Sequence, residues 1–216
     1  EFSHFASSPN YMLNCGLGTF LMPLCAIAVL WKGSELFAWL DIMFAETAGS
    51  VPLLLCVVLC GFASMNFMTA PSISLEGKTL WLLQSLPVEP WWIFRAKIRM
   101  QLLLTDLPML LCIVCIAAVY PMHLLHLLMI FLFAASYVLF MTLTGLLLGV
   151  KMPVLTWTNE IMPIKQGAPV MITLFGGFVY MALLFAGFML LPGWMIGFCG
   201  YVSCFVGVNL FLSVFA

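Results

Sequence analysis

Residues Leu124 to Gly149 read LLHLLMIFLFAASYVLFMTLTGLLLG, 26 consecutive positions without one Asp, Glu, Lys or Arg. About 20 apolar residues carry an α-helix across the hydrocarbon of a bilayer. The run is unbroken rather than alternating, so it fits a spanning helix and not a strand of a closed barrel, the other backbone that satisfies its own polar groups in lipid. Working outward, five more apolar runs emerge: Tyr11 to Trp31, Ser50 to Ala70, Met100 to Tyr120, Pro169 to Leu191 and Gly193 to Phe215. The expected fold is therefore all-α, a polytopic membrane protein with six transmembrane helices in one domain covering residues 1–216.

Composition agrees with that reading. The chain is 65% hydrophobic and 7% charged, with a mean hydropathy of +1.20, whereas soluble domains carry about 25% charged residues. The net charge of −1 says nothing about nucleic acid, but the lack of any basic tract argues against such a partner. The eight cysteines all fall inside apolar runs, as small buried hydrophobes do and as the cysteines of a secreted disulfide framework do not. The opening residues EFSHFASSPN show neither an initiating Met nor the basic start of a signal peptide, so the polypeptide is expected to begin upstream.

The longest stretch that cannot sit in hydrocarbon runs from Pro71 to Arg99 and holds Glu76, Lys78, Glu89, Arg95, Lys97 and Arg99. Together with Lys151 and Lys165 in the loop over 150–168, these two segments contain every Lys and Arg except Lys32. The positive-inside bias puts both loops and both termini in the cytoplasm of a cell-membrane protein. Within the first loop, Ser74 is placed to cap a helix whose first turn carries Glu76. Leu75, Thr79, Leu82, Leu83 and Leu86 then recur at helical spacing until Pro87, which gives a stiff amphipathic segment between the second and third spans. A second start follows at Glu89-Pro90, leading through Trp91 and Trp92 into the third span. On the opposite side, Lys32 to Gly49 reads as an amphipathic segment lying at the interface. Pro121 and Pro192 mark tight turns.

Few constellations suggest chemistry. Gly77-Lys78-Thr79 resembles the end of a phosphate-binding loop, but Ser72 stands where the first glycine is required and no strand precedes it, so no nucleotide site is assigned; were the chain's work powered by ATP, another subunit or domain would have to bind it. Asp106 is the one ionisable residue deep in a run, with Asn14 a second polar residue within one; an intramembrane acid faces a cavity, a partner or neighbouring polar groups. With no second catalytic group beside it, no catalytic residue is assigned. Cys112 and Cys115 with His123 and His126 invite a metal reading, yet the cysteines lie about two turns deeper among aliphatics, and no metal site is assigned. Gly145 and Gly149, like Gly193 and Gly197, are spaced for close helix packing. The second inner loop concentrates Trp157, Asn159, Glu160, Lys165 and Gln166, and its prolines exclude one continuous helix.

The run SISLEGKTLWLLQSLPV with Ala96-Lys97, the later WTNE (Trp157 to Glu160) followed by Lys165-Gln166, and the opening SSPNYMLNCG from Ser7 to Gly16 resemble the signatures of large bacterial ABC exporter permeases of the second type. The resemblance follows the chain nearly end to end and implies a six-helix membrane half. In such a half the first inner loop, here Ser74, Leu75, Glu76, Gly77, Lys78, Trp81, Leu82 and Leu86, docks as a coupling helix on a separate ABC ATPase subunit. That subunit would bind ATP and Mg, and this chain would bind no cofactor. A second permease half, or a second copy, completes the implied transporter. One departure is that only Leu191 to Gly193 separate the last two runs, too few for a re-entrant external hairpin. The other class compatible with these loops is an accessory or scaffold membrane protein that holds a sensor or regulator. Under the exporter reading, Glu76→Lys or Leu82→Asp is expected to uncouple transport from the partner's ATPase activity.

Overall fold

In a computed structural model of the chain, which describes residues 8–45, 47, 49–77, 85, 89–159, 161–190 and 197–215, the stretch from Leu124 is the central helix of an all-helical bundle. Among the described residues the helices are α1 (Pro9–Cys15), α2 (Leu17–Met43), α3 (Ser50–Ser64), α4 (Thr69–Leu75), α5 (Pro90–Val119), α6 (Leu124–Lys151), α7 (Ile161–Lys165), α8 (Ala168–Leu190) and α9 (Phe198–Phe215). Five segments are long and apolar enough to cross a membrane: α2, α5, α6, α7 with α8, and α9. The chain thus has the build of a multi-pass membrane protein. The second apolar run does not form a full-length helix: α3 has 15 residues, which at 1.5 Å each reach about 22 Å, short of the ~30 Å hydrocarbon core.

Two of the expected runs are interrupted, and the break in the second reduces the six expected spans to five full-length ones. The run from Ser50 to Ala70 breaks over Met65 to Met68 because Pro71 has no N–H for the Phe67 carbonyl and its ring collides with that group in a continuous helix. The first run breaks at Gly16 and then continues as α2 to Met43. The segment expected to lie at the interface after Lys32 is therefore the far end of a 27-residue helix. Charges end a hydropathy run, but no proline follows Pro23 to end the helix. Lys32 and Glu35 sit on its exposed side, 3.8 Å apart.

α6 packs against α3, α4, α5, α8 and α9, and α2 runs along α5. The larger core joins Met22, Leu53, Met109, Phe133, Tyr137 and Leu184 from five helices. A smaller one gathers Tyr11, Cys15, Met68, Met100 and Ile164 where α1 and α7 meet the break after α3. Polar groups inside the larger core are paired: Ser64 with the Tyr137 hydroxyl, Tyr180 OH with Asn209 Oδ1 at 2.8 Å, and Asn209 Nδ2 with Ser136 Oγ at 3.3 Å. Gly145 and Gly149 seat α4: a Cβ on Gly149 would come 2.6 Å from the Ala70 carbonyl oxygen. The close approach of α2 to the end of α3 is tighter still, since a Cβ on Gly18 would lie 2.0 Å from the Phe62 carbonyl oxygen.

Backbone oxygens cannot move aside as a flexible side chain can, so Gly18→Ala and Gly149→Ala should each cost about 1–3 kcal/mol. Gly176→Ala, which meets nothing within 4 Å, should be neutral. Thermal unfolding of the three variants in one detergent measures the contrast, and equal melting temperatures would contradict the packing described.

Candidate functional site

The two interruptions meet. Phe67 N–H donates to the Cys15 carbonyl at 3.2 Å, which makes the isolated bridge between the Gly16 and Asn66 segments, the one extended pairing among the described residues. A helix that begins inside a bundle leaves its first N–H groups without intrahelical partners, and here side chains from distant parts of the chain help to satisfy them. Asn66 Oδ1 accepts from Thr19 N–H at 3.0 Å and so caps α2. Gln101 Oε1 accepts from Thr69 N–H at 2.8 Å and caps α4. Gln101 Nε2 also donates to the main-chain carbonyl of Asn66 at 2.9 Å, while Asn66 Nδ2 donates to Thr105 Oγ1 at 3.2 Å. Tyr11 OH closes the group by donating to the Met68 carbonyl at 2.6 Å.

Pro108 adds a further tie. Having no N–H, it leaves the Leu104 carbonyl of α5 without its helical donor, and Thr19 Oγ1 donates to that carbonyl at 3.0 Å. The crossing therefore joins α2, α4 and α5 through hydrogen bonds, among them those made by Thr69 N–H and the Leu104 carbonyl, groups that the helices do not satisfy themselves.

One turn nearer the basic end lies a second layer, built from residues of both sequence-predicted loops. Ser74 is in the last turn of α4 and Glu76 is its C-cap, so Ser74 does not begin a helix as expected. Its hydroxyl instead accepts from Val154 N–H at 3.0 Å, and its carbonyl accepts from Trp157 Nε1 at 2.7 Å. Glu76 forms an ion pair with Lys97 of α5, whose side chain is 1% exposed. Gly77 packs on Leu155 so closely that a Cβ would lie 2.9 Å from Leu155 Cδ2. Leu75 packs against the smaller core. The start of the first loop, the middle of the second and the base of α5 are thereby locked together.

Other expected site residues lie apart from this layer. Asn159 is exposed and its Oδ1 accepts from Ile161 N–H at 3.1 Å, while Lys165 and Gln166 are exposed at the end of α7. Lys78, Trp81, Leu82, Leu86 and Glu160 lie outside the described residues, and with them the proposed coupling helix. Asn14 bonds within α1 to the Asn10 carbonyl at 2.7 Å. Asp106 points away from the crossing into a groove between α5 and α6. At the opposite end, Tyr120 OH donates to Asp41 at 2.6 Å, and that carboxylate, with burial, pushes the Tyr120 phenol up to about 12. Cys112 donates to the Met22 carbonyl at 2.8 Å, and no group of three potential metal ligands comes together among the described residues.

The sequence reading passed over Asn66, Gln101, Thr105 and Thr19. A signal was present: Lys97, Gln101 and Thr105 are polar residues at i, i+4 and i+8 in an apolar helix, which places them on one face. Against family models, curated proteins and solved structures, the chain finds no match.

Gln101→Leu strands the buried Thr69 N–H, and Asn66→Leu and Thr105→Val each strand the other's buried polar group; each should cost about 1–3 kcal/mol. Because Asn66 and Thr105 share a side-chain hydrogen bond, their double variant should lose less than the sum; strict additivity in unfolding measurements would deny the network. Lys97→Met alone should cost about 3–5 kcal/mol by removing the cation of the buried pair with Glu76, and Glu76→Leu with Lys97→Met should recover much of that loss.

Proposed function

We propose that the chain is a transmembrane subunit, or half-subunit, of an ATP-driven ABC exporter that couples a partner ATPase to substrate export by alternating access. In this reading α3 and α4 together form a broken sixth span, the basic end faces the cytoplasm as the positive-inside rule requires, and both termini lie there. The chain is not itself an enzyme; ATP and Mg belong to the partner, and a second permease half or second copy completes the pathway.

The observation that supports this reading is the convergence of the segments that carry the family resemblance. Ser74, Glu76 and Gly77 of the first meet Val154, Leu155 and Trp157 of the second loop and Lys97 of α5. A push on the loop that follows Gly77 would reach α5 through the Glu76–Lys97 pair and α4 through the backbone, and then the crossing at Asn66. Many transporters place binding sites at discontinuous helices. Here the polar groups at the interruption are paired with one another, which suits a hinge between two states more than a ligand cradle. The difference in energy between those states would come from the partner's nucleotide cycle.

The scaffold reading rests on the exposed polar residues at the same end, Asn159, Lys165 and Gln166, together with Arg95 stacked 5.6 and 5.7 Å from the rings of Trp91 and Trp92. Mild-detergent purification from native membranes separates the two. A co-purifying subunit with a phosphate-binding loop supports the exporter, whereas a regulatory protein without one supports the scaffold. In the exporter complex, Leu82→Asp should lower the associated ATPase activity several-fold while leaving the melting temperature of the chain unchanged. Glu76→Lys is a poorer probe than the sequence suggested, because it also breaks the pair with Lys97.

A further inference from the structure

Asp106 lies one residue beyond Thr105, on a different side of α5 from the crossing. Its Oδ1 is shielded and has no hydrogen-bond donor among the described residues. Leu102, Leu103, Leu107 and Leu110 from α5 and Phe131 from α6 surround it, lining with it a groove of about 260 Å³. Leu103 and Leu107 are 68% and 72% exposed, so the groove opens on the outer flank of the bundle rather than into its core.

A carboxyl group at this depth in a spanning helix is costly when left alone, and such groups ordinarily pair with a cation, a donor or a water-filled path. Among the described residues no donor reaches Asp106 Oδ1 and no cation pairs with the carboxylate, although Gln101 and Thr105 of the same helix each have a partner. The walls are aliphatic apart from one aromatic ring. An acid inside an apolar groove is complementary to a positive centre attached to an apolar body, and to neither a sugar nor an anion.

We propose that this groove is a binding site for lipophilic organic cations. The cationic centre pairs with Asp106, and the alkyl or aryl body lies along Leu103, Leu107 and Leu110 and against Phe131, whose ring also attracts a nearby cation. The proposal requires the groove alone and stands whether or not an ATPase associates with the chain.

Saturable binding of radiolabelled tetraphenylphosphonium to the chain in lipid nanodiscs tests it, with empty nanodiscs setting the partition background. The wild type should bind about one cation per chain. Asp106→Asn should weaken binding about tenfold or more, as loss of a charge-assisted contact does, and Asp106→Glu should restore much of it. Leu107→Trp, which narrows the groove from its exposed side, should also weaken binding, while a neutral triaryl competitor such as triphenylphosphine oxide should compete poorly. Equal affinity in Asp106→Asn, or no saturable binding by folded wild-type protein, would overturn the proposal. So would a wild-type dimer that binds no cation and becomes monomeric in Asp106→Asn, since the acid would then serve contact between two copies.

Discussion

A peptide N–H that finds no acceptor inside an apolar bundle has no water to turn to, and an unpaired group there costs several kcal/mol. Two helices of this chain nevertheless begin within the bundle, α2 after Gly16 and α4 after Met68. Each is possible because an amide side chain from elsewhere stands at its start, Asn66 at Thr19 and Gln101 at Thr69. The positions of three helices follow from those contacts. α5 must present Gln101 and Thr105 to the break, α2 must approach closely enough that Gly18 meets the Phe62 carbonyl, and α4 must lie on Gly145 and Gly149 of α6.

The prolines and the polar side chains form one system. Pro71 ends the continuity of the second run and Pro108 removes a donor from the Leu104 carbonyl, and both would be defects in an isolated helix. In the bundle the Pro71 break exposes the Asn66 amide where it can cap α2, and the carbonyl freed by Pro108 receives the Thr19 hydroxyl. Thr19 thus uses its backbone N–H toward one interruption and its hydroxyl toward the other. Beyond Pro108 the inward face of α5 changes character, from buried Lys97, Gln101 and Thr105 to buried Met109, Cys112, Ile113 and Ile116. The polar half of that face lies beside the interrupted helices and the apolar half beside the main core.

What could be read from the chain depended on how local the cause was. Leu124 to Gly149 is long, uncharged and free of proline, and α6 occupies it with two further residues. Glu89-Pro90 is a local start signal, and α5 begins at Pro90. The breaks were harder to see because much of their stabilisation is tertiary: beside the local Gly16 carbonyl, the second acceptor for Thr19 N–H comes from 47 residues away. Hydropathy also ended the first run at Trp31, although Lys32, Glu35 and Asp41 are compatible with a helix whose far end extends beyond the hydrocarbon. Of the candidate site, Ser74, Glu76 and Trp157 were identified by their place in motifs, but their partners were not. The reading of Ser74 as a cap failed because the helix approaches it from the N-terminal side, out of Thr69, rather than starting there.

The spacing of Lys97, Gln101 and Thr105 also bears on how motion could travel in the proposed exporter. These residues lie on successive turns of one uninterrupted helical segment, about 6 Å apart along the axis, and they hold Glu76, the start of α4 and Asn66 respectively. α4 is thereby fastened to α5 at both of its ends, so the two cannot slide past each other without breaking a buried ion pair and buried amide bonds together. They would move as one lever. α2 is joined to that lever at the crossing, where its Thr19 is held by Asn66 and Leu104. A displacement imposed beyond Gly77 would therefore emerge as a rotation about the crossing, with the apolar length of α5 beyond Pro108 swinging against α2 and α6. The glycine contacts at Gly18 and Gly149 would keep such a rotation narrow, because backbone packed on backbone leaves no compressible side chain to absorb the motion locally.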